Sequence, residues 1–242
     1  MLGLRPPPIS AKSGNTLDDD GEPLFKGSLG QGETLQPIRE LNTNDNVHES
    51  FVYFIMHNNK VTGVRKIVVN TPKTEGAFIG AQNEVIIYTE LKRHSSWKKH
   101  VLPFRGAQKG PKTLVLDFDY VPGQDLLEFV RKEEPTKKQL AAVLEDAKAA
   151  LAFCHKANVL HGDIKPDNFY VERGTQKAYI FDFGEGAMED DIDESFFVKE
   201  DAEMQQMADK LLAHAKGGRR RATRRGRERR TKLSRQSKKG RR

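Results

Sequence analysis

Residues 161–168 read HGDIKPDN, and residues 182–184 read DFG. These segments bring carboxylates, an amide and a lysine close together along the chain. Asp163 can orient an attacking hydroxyl, and Lys165 can neutralise charge on a phosphoryl group in transfer. Asn168 and Asp182 offer the hard oxygen ligands that Mg²⁺ prefers. The residue types are therefore those that phosphoryl transfer requires.

Together the two segments resemble the signature of the protein kinase family, H-x-D-x-K-P-x-N followed by D-F-G. The resemblance implies an α+β, bilobal protein kinase-like fold with a β-rich N-lobe and a shortened α-rich C-lobe. It also implies ATP and Mg²⁺ as cofactors, with Asn168 and Asp182 as the metal ligands. The reaction would be transfer of the ATP γ-phosphate to a protein hydroxyl, with Asp163 as catalytic base. Lys165 beside it is similar to the serine/threonine kinases rather than to the tyrosine kinases.

The same resemblance assigns roles to residues upstream of these motifs. Lys66 lies on a predicted strand, where the family has its nucleotide-binding lysine, and Glu84 would be the helix carboxylate that pairs with it. Glu84 interrupts an otherwise apolar helical stripe. Taken without the resemblance, the simpler interpretation is that Lys66 is a solvated lysine on a strand and that Glu84 is an exposed glutamate on a helix. Asp119 and Val121 would bind adenine through their backbone groups at a hinge, and Asp125 would contact the ribose.

Apolar and aromatic side chains occupy the positions that the family uses around adenine and between its lobes. Phe118 is at the gatekeeper position, and Val64 and Tyr170 would sandwich the adenine ring. Ordinary core packing is the alternative for the aromatic side chains. The internal stack that the family builds between its lobes would consist of Tyr88, His161 and Phe183.

Three departures from the family pattern bear on activity. Residues 42–50 read NTNDNVHES where the family has a G-x-G-x-x-G loop, so we expect a tight turn but reduced ATP affinity. Gly162 replaces the arginine that receives a phosphorylated activation loop, so switching of that kind is not expected. We expect a shortened C-lobe, because there is space for only one helix between Gly184 and the basic tail. Asp201, at the predicted start of that helix, either anchors the catalytic loop or is only an N-cap.

Hydrophobic periodicity predicts the remaining elements. A hairpin at 51–56 and 61–70 precedes a helix at 80–94 and strands at 101–104 and 113–120. Then come a short helix at 125–131, a helix at 136–157 with a capping box, short strands at 169–171 and 178–181, and a helix at 200–215. The predicted organisation is a disordered segment (1–35), an N-lobe (36–118), a hinge and C-lobe (119–216) and a basic disordered tail (217–242).

Charge is divided unevenly along the chain. The whole chain has 41 Lys and Arg against 34 Asp and Glu, but the tail alone has 11 Arg and 3 Lys against one Glu. The tail predicts binding to the nuclear import machinery or, because it lacks aromatic residues, to nucleic acid without sequence preference. A solvated tail without a partner, or docking onto the acidic stretch at 185–194, are the alternatives.

Composition also constrains the compartment. One cysteine, Cys154, excludes an intramolecular disulfide and a cysteine-based zinc site. No apolar run is long enough for a transmembrane helix, and the N-terminus lacks the apolar region of a secretory signal. We therefore expect an intracellular protein, in the nucleus or the cytoplasm, without a membrane partner.

Three other functions fit parts of the pattern. A pseudokinase that serves as an interaction scaffold would explain the lost glycine loop. A minimal kinase-type ATPase, similar to the one in the tRNA threonylcarbamoyladenosine-modifying complex, would explain H-G-D and the basic end. That ATPase family, however, lacks the lysine-proline pair that this chain has at Lys165-Pro166. A small-molecule kinase would explain the missing peptide platform.

Overall fold

The computed structural model describes residues 25–38, 50–188 and 192–215. A sheet-rich N-terminal part is followed by a mainly helical part, as the sequence predicts. The predictions for residues 1–24, for most of the glycine-loop substitute and for the tail lie outside the described residues. Within those residues, no helix is both long and apolar enough to cross a membrane.

Five antiparallel strands form the N-terminal sheet, in the order β1-β2-β3-β5-β4. The predicted hairpin is confirmed as β2 and β3, which are joined by Asn58 and Asn59 with φ angles of 50° and 59°. Asparagine tolerates such left-handed angles, which two-residue hairpin turns require. The strands are β1 (Glu33–Pro37), β2 (Ser50–His57), β3 (Lys60–Val69), β4 (Phe104–Lys109) and β5 (Thr113–Asp119).

Helix α1 (Glu75–Leu91) packs against this sheet and begins and ends earlier than the predicted 80–94. The sequence places glycines at 76 and 80, which weaken the helical pattern there. At Gly80 the helix contacts the backbone of Gly184, where a Cβ atom would lie 3.2 Å from the Gly184 carbonyl oxygen. A tertiary contact therefore explains a residue that local propensity disfavours.

The C-terminal part is built around α3 (Lys137–Lys156), whose N-terminus has the predicted capping box between Thr136 and Gln139. The free thiol of Cys154 is buried on this helix. The other elements are β6 (Gly123–Asp125), α2 (Leu126–Glu128) with one π-helical turn (Phe129–Glu133), β7 (Val159–Leu160), β8 (Phe169–Glu172), β9 (Ala178–Ile180), β10 (Ala187–Met188) and α4 (Glu194–His214). Two short 3₁₀ turns cover Trp97–Lys99 and Pro166–Asn168.

Two further predicted boundaries are wrong, one in each part of the chain. Helix α4 begins six residues before the predicted start, because the Asp193 side chain caps it by accepting a hydrogen bond from the Ser195 N–H at 2.8 Å. The predicted strand at 101–104 is reduced to a parallel bridge between Val101 and Ile180, and β4 begins only at Phe104. That bridge joins the segment before β4 to a strand of the helical part.

The predicted disorder of residues 1–35 is wrong for residues 25–35. Strand β1 pairs with β2, and Phe25 and Leu35 pack on the sheet face opposite α1. That face carries a second apolar cluster composed of Phe51, Tyr53, Ile67, Val69 and Val115. The glycine-rich composition suggested disorder, whereas Gly27 serves a close approach to the sheet at a φ of 76°.

Candidate active site

Lys66 connects three elements at the centre of the cleft. Its Nζ donates to Glu84 Oε2 on α1 at 2.9 Å and to Asp182 Oδ1 after β9 at 3.0 Å. Glu84 is buried, with 2% of its side chain exposed. Burial lowers the pKa of Lys66, but the charges of Glu84 and Asp182 outweigh it and raise the pKa. The ammonium group is therefore charged at neutral pH and lies between two carboxylates.

Asp163, Lys165 and Asn168 form a second polar group on the loop before β8. The Asn168 amide nitrogen donates to the Asp163 carbonyl oxygen at 2.8 Å and to Oδ2 at 2.9 Å. Lys165 Nζ also binds Oδ2. Partial burial raises the pKa of Asp163, but these two donors outweigh it and lower the pKa. Asp163 is therefore a carboxylate at neutral pH, and among the described residues its Oδ1 accepts no hydrogen bond.

Glu200 of α4 holds the loop that carries Asp163. Its Oε1 accepts from the Gly162 N–H at 2.6 Å, and its Oε2 accepts from the His161 N–H at 3.2 Å. Oε2 also lies 2.8 Å from His155 Nε2. Both predicted roles of Asp201 are wrong. Its exposed carboxylate lies 3.5 Å from His155 Nδ1 and not on the catalytic loop, and the helix is capped by Asp193. A carboxylate on a buried helical stripe is the signal that identified Glu84, and it applies equally to Glu200.

Gly162 has no room for a side chain. Its φ is 82°, and a Cβ atom would lie 2.0 Å from the Glu185 carbonyl oxygen. The segment after Gly184 passes against it because β10 pairs with β7, with Ala187 opposite Leu160. The arginine that the family pattern expects here is therefore excluded by the backbone of this segment.

Asn83 of α1 holds the same segment from the other side. Its Nδ2 donates to the Gly186 carbonyl at 2.5 Å and lies 3.5 Å from that of Phe183. The sequence offers no signal for this contact, because a polar residue beside a buried glutamate is ordinary on a helix. The helix that provides Glu84 and the segment that provides Asp182 are thus joined directly.

The predicted aromatic stack is present in the structure. The Phe183 ring lies 5.1 Å from that of Tyr88 and 5.0 Å from that of His161, between ring centroids. Burial lowers the pKa of His161 and favours the neutral ring. Its Nε2 lies 2.9 Å from the Phe181 carbonyl oxygen, and its Nδ1 accepts from the Asp163 N–H at 3.3 Å. The Nε2–H tautomer satisfies both contacts.

The predicted hinge residues already make several contacts within the protein. The Asp119 N–H donates to the Pro103 carbonyl at 2.7 Å, and the Val121 carbonyl accepts from the Tyr170 hydroxyl at 3.0 Å. Asp125 Oδ1 caps α2 by accepting from the Glu128 N–H at 2.8 Å. The Val121 N–H, by contrast, donates to no other described residue. It is the hinge donor that a ligand can use.

The candidate metal ligands fit Mg²⁺ only as part of a larger ligand set. Asn168 uses its amide nitrogen on Asp163, so its amide oxygen stays available as a hard ligand. Asp182 has one oxygen on Lys66 and a half-exposed carboxylate. Among the described residues, no group of three or more His, Cys, Asp and Glu side chains is arranged to hold a metal.

Replacing Glu200 with Gln should destabilise the protein in a pH-dependent way. Burial raises the pKa of Glu200, but hydrogen bonds from His155, Gly162 and His161 outweigh it and lower the pKa. Its stabilising effect is therefore full above the unfolded-state pKa of about 4.3 and is lost as the pH falls through the lower folded-state pKa. Urea unfolding at pH 7 should show that the free energy of unfolding falls by about 1–3 kcal/mol, and the difference from the wild type should narrow as the pH falls below the unfolded-state pKa.

Asp201→Asn is the matched control and should have little effect at any pH. If both variants lost the same free energy of unfolding at pH 7, the hydrogen bonds of Glu200 to the catalytic loop would not be what stabilises the protein.

Replacing Gly162 with Ala should cost more than positive-φ strain alone. Gly174 is the control, because its φ is 96° and a Cβ atom there would meet nothing within 4 Å. Gly174→Ala should show the backbone penalty of about 1–2 kcal/mol in urea unfolding. In Gly162→Ala the free energy of unfolding should fall by a further ~1–3 kcal/mol, because the backbone of Glu185 must move. Equal losses would mean that the contact with Glu185 is easily relieved.

Comparison with known proteins agrees with this geometry. The sequence model of the family described as "Protein kinase domain" matches residues 49–215. The chain is similar to Calcium-dependent protein kinase 9 of Arabidopsis thaliana, with 30% identity over 98 residues that cover 39% of this chain and 18% of the relative. It is also similar to Serine/threonine-protein kinase pkn3 of Myxococcus xanthus, with 33% identity over 98 residues and the same two shares.

The chain thus spans less than a fifth of the length of these two relatives. The family match, by contrast, covers more than half of the chain and includes Lys66, Glu84, Asp163 and Asp182. The chain therefore belongs to the protein kinase family.

Proposed function

We propose that this chain is an ATP- and Mg²⁺-dependent phosphotransferase that transfers the γ-phosphate to a serine or threonine hydroxyl of a protein, with Asp163 as the base. The contact of Lys66 with both Glu84 and Asp182 carries the proposal. It joins β3 and α1 to a segment that lies 116 positions beyond Lys66, and it holds a cation beside the carboxylate expected to bind the metal. Phosphoryl transfer depends mainly on such positioned charge.

The nucleotide would bind along the line from the hinge to Lys66. The unused Val121 N–H and the Asp119 carbonyl are the candidates for the adenine edge, and Asp125 retains one carboxylate oxygen for the ribose. Asp182 and Asn168 would hold Mg²⁺, which takes its remaining ligands from phosphates and water. When bound, the metal neutralises phosphate charge.

Asp163 is suited to receive the proton of the acceptor hydroxyl. Asn168 and Lys165 both bind Oδ2 and leave Oδ1 for the substrate. Lys165 is half-exposed and can turn its ammonium group towards the transferred phosphoryl group. The Ser/Thr preference is supported by this lysine and by the name of the Myxococcus xanthus relative.

The basic tail supports a second, independent part of the proposal. Residues 217–242 carry 14 basic side chains and one acidic one. Such a segment suits nuclear import, and the nucleus is the proposed location, with non-specific binding of nucleic acid as the alternative use of the same charge.

Two isosteric substitutions test the proposed chemistry. Asp163→Asn should reduce ADP formation by about 10²–10⁴-fold and leave Mg·ATP binding intact, because only the base is lost. Asp182→Asn should weaken Mg·ATP binding itself, because a metal ligand and the partner of Lys66 are lost. Calorimetry measures binding, and ADP release with and without dephosphorylated casein measures turnover and transfer.

Asp167→Asn is the control, because this exposed residue lies in the same loop and should change turnover by less than about twofold. Wild-type turnover in Asp163→Asn would exclude Asp163 as the base. Binding without turnover in the wild type would favour the scaffold, and equal ADP formation without casein would favour an ATPase.

A further inference from the structure

A segment ahead of the matched kinase domain crosses the outer face of the N-terminal sheet. We define it as the strap, residues 25–37, and it ends in strand β1. Besides the pairing of β1 with β2, Ser28 makes two contacts with β4. The Ser28 N–H donates to Gln108 Oε1 at 2.7 Å, and its carbonyl accepts from Gln108 Nε2 at 3.0 Å. The strap therefore contacts strands on both sides of β3.

Arg65 on β3 is the centre of this arrangement. Its side chain is 1% exposed and binds Asp117 of β5 through two parallel hydrogen bonds, each of 2.7 Å. Two of its other three N–H groups bind the strap, with Nη1 at 2.7 Å from the Lys26 carbonyl and Nη2 at 2.9 Å from the Ser28 carbonyl. A guanidinium can be buried here only because carboxylate and carbonyl oxygens receive its N–H groups.

Arg65 precedes Lys66 directly, and the side chains of neighbouring strand residues point to opposite faces. Lys66 therefore enters the cleft at the point where the strap and Asp117 hold β3 from behind. If the strap carbonyls were lost, Arg65 would keep unpaired donors in an apolar face, and β3 would have to shift to hydrate them. Such a shift would move Lys66 relative to Glu84 and Asp182.

We propose that the strap, acting through Arg65, positions Lys66 for the reaction. Arg65 is then a positioning residue and the strap is a part of the catalytic domain. The inference rests on the proposed function of Lys66 as the phosphate-binding cation. It predicts that changes on the outer face alter the environment of the Lys66 amine, which lies on the inner face.

Two variants of the full chain disturb this contact from opposite sides. Arg65→Met removes the guanidinium group and keeps an unbranched apolar side chain. Gly27→Val leaves β3 unchanged but fills space that the strap needs, since a Cβ at Gly27 would lie 3.2 Å from Arg65 Nη1 and 3.3 Å from Gln108 Oε1. Gly27→Ala is the milder version. Leu29→Ala is the matched control, because this strap residue is exposed.

Acylation by acetic anhydride, followed by peptide mass spectrometry, reports on Lys66 without requiring enzymatic activity. An amine that donates hydrogen bonds to two carboxylates is shielded from the reagent and reacts slowly. Exposed Lys60 on the same strand is the internal standard. We expect Arg65→Met and Gly27→Val to raise the Lys66 rate at least threefold relative to Lys60, Gly27→Ala to raise it less, and Leu29→Ala to leave it unchanged. The KM for ATP should rise with the labelling rate.

The proposal is overturned if the melting temperature falls in these variants while Lys66 labelling stays at the wild-type rate, because the strap would then only stabilise the sheet. Equal labelling of all four variants would overturn it as well. Absence of ATP turnover in the wild type would contradict the proposed function, but the labelling result would still decide whether the strap positions Lys66.

Discussion

The contact of Lys66 with Glu84 and Asp182 is the constraint on which the site depends. The three residues come from β3, α1 and the segment after β9, and Asp182 lies 116 positions beyond Lys66. Each element is held in place by its own contacts. Arg65 fixes β3 from behind, Asn83 joins α1 to the segment after Phe183, and the Tyr88–Phe183–His161 stack fills the space between the lobes.

This ion pair is better explained by chemistry than by stability. Burying Glu84 costs solvation energy, and burial indeed raises its pKa, while Lys66 opposes that rise. Buried ion pairs often stabilise a fold no more than apolar residues of the same size. The arrangement leaves the Lys66 ammonium group and a half-exposed Asp182 in the cleft, where the ammonium group could bind a phosphate and the carboxylate could bind a metal. Glu200 holds the loop of Asp163 in place by accepting hydrogen bonds from the backbone N–H groups of His161 and Gly162.

Local patterns in the sequence predicted much of this site. The HGDIKPDN and DFG segments fixed the family, and the structure brings Lys66 to the lone glutamate on the apolar stripe of α1. The capping box at Thr136 and the Asn58-Asn59 turn were predictable because their hydrogen bonds and backbone angles depend on neighbours in the chain. Glu200, and not Asp201, holds the catalytic loop because Glu200 lies on the buried stripe of α4 together with Met204 and Met207, whereas Asp201 is exposed.

The features that could not be predicted depend on contacts between distant parts of the chain. Gly80 and Gly162 weaken their local patterns, and their reason lies in the backbone of Gly184 and Glu185. The strap has the composition of a disordered segment, yet it is ordered because Arg65 donates hydrogen bonds to it and its apolar side chains pack on a sheet face. In both cases the partner lies too far along the sequence for a pattern to reveal it.

A crystal structure with a non-hydrolysable ATP analogue, and with Mn²⁺ in place of Mg²⁺, would show whether Lys66, Asp182 and Asn168 form the nucleotide and metal site. We expect an anomalous peak from a Mn²⁺ ion that is bound by a carboxylate oxygen of Asp182 and the amide oxygen of Asn168, with Lys66 still paired to Glu84 and contacting a phosphate. A nucleotide bound elsewhere, or a metal that contacts neither Asp182 nor Asn168, would contradict it.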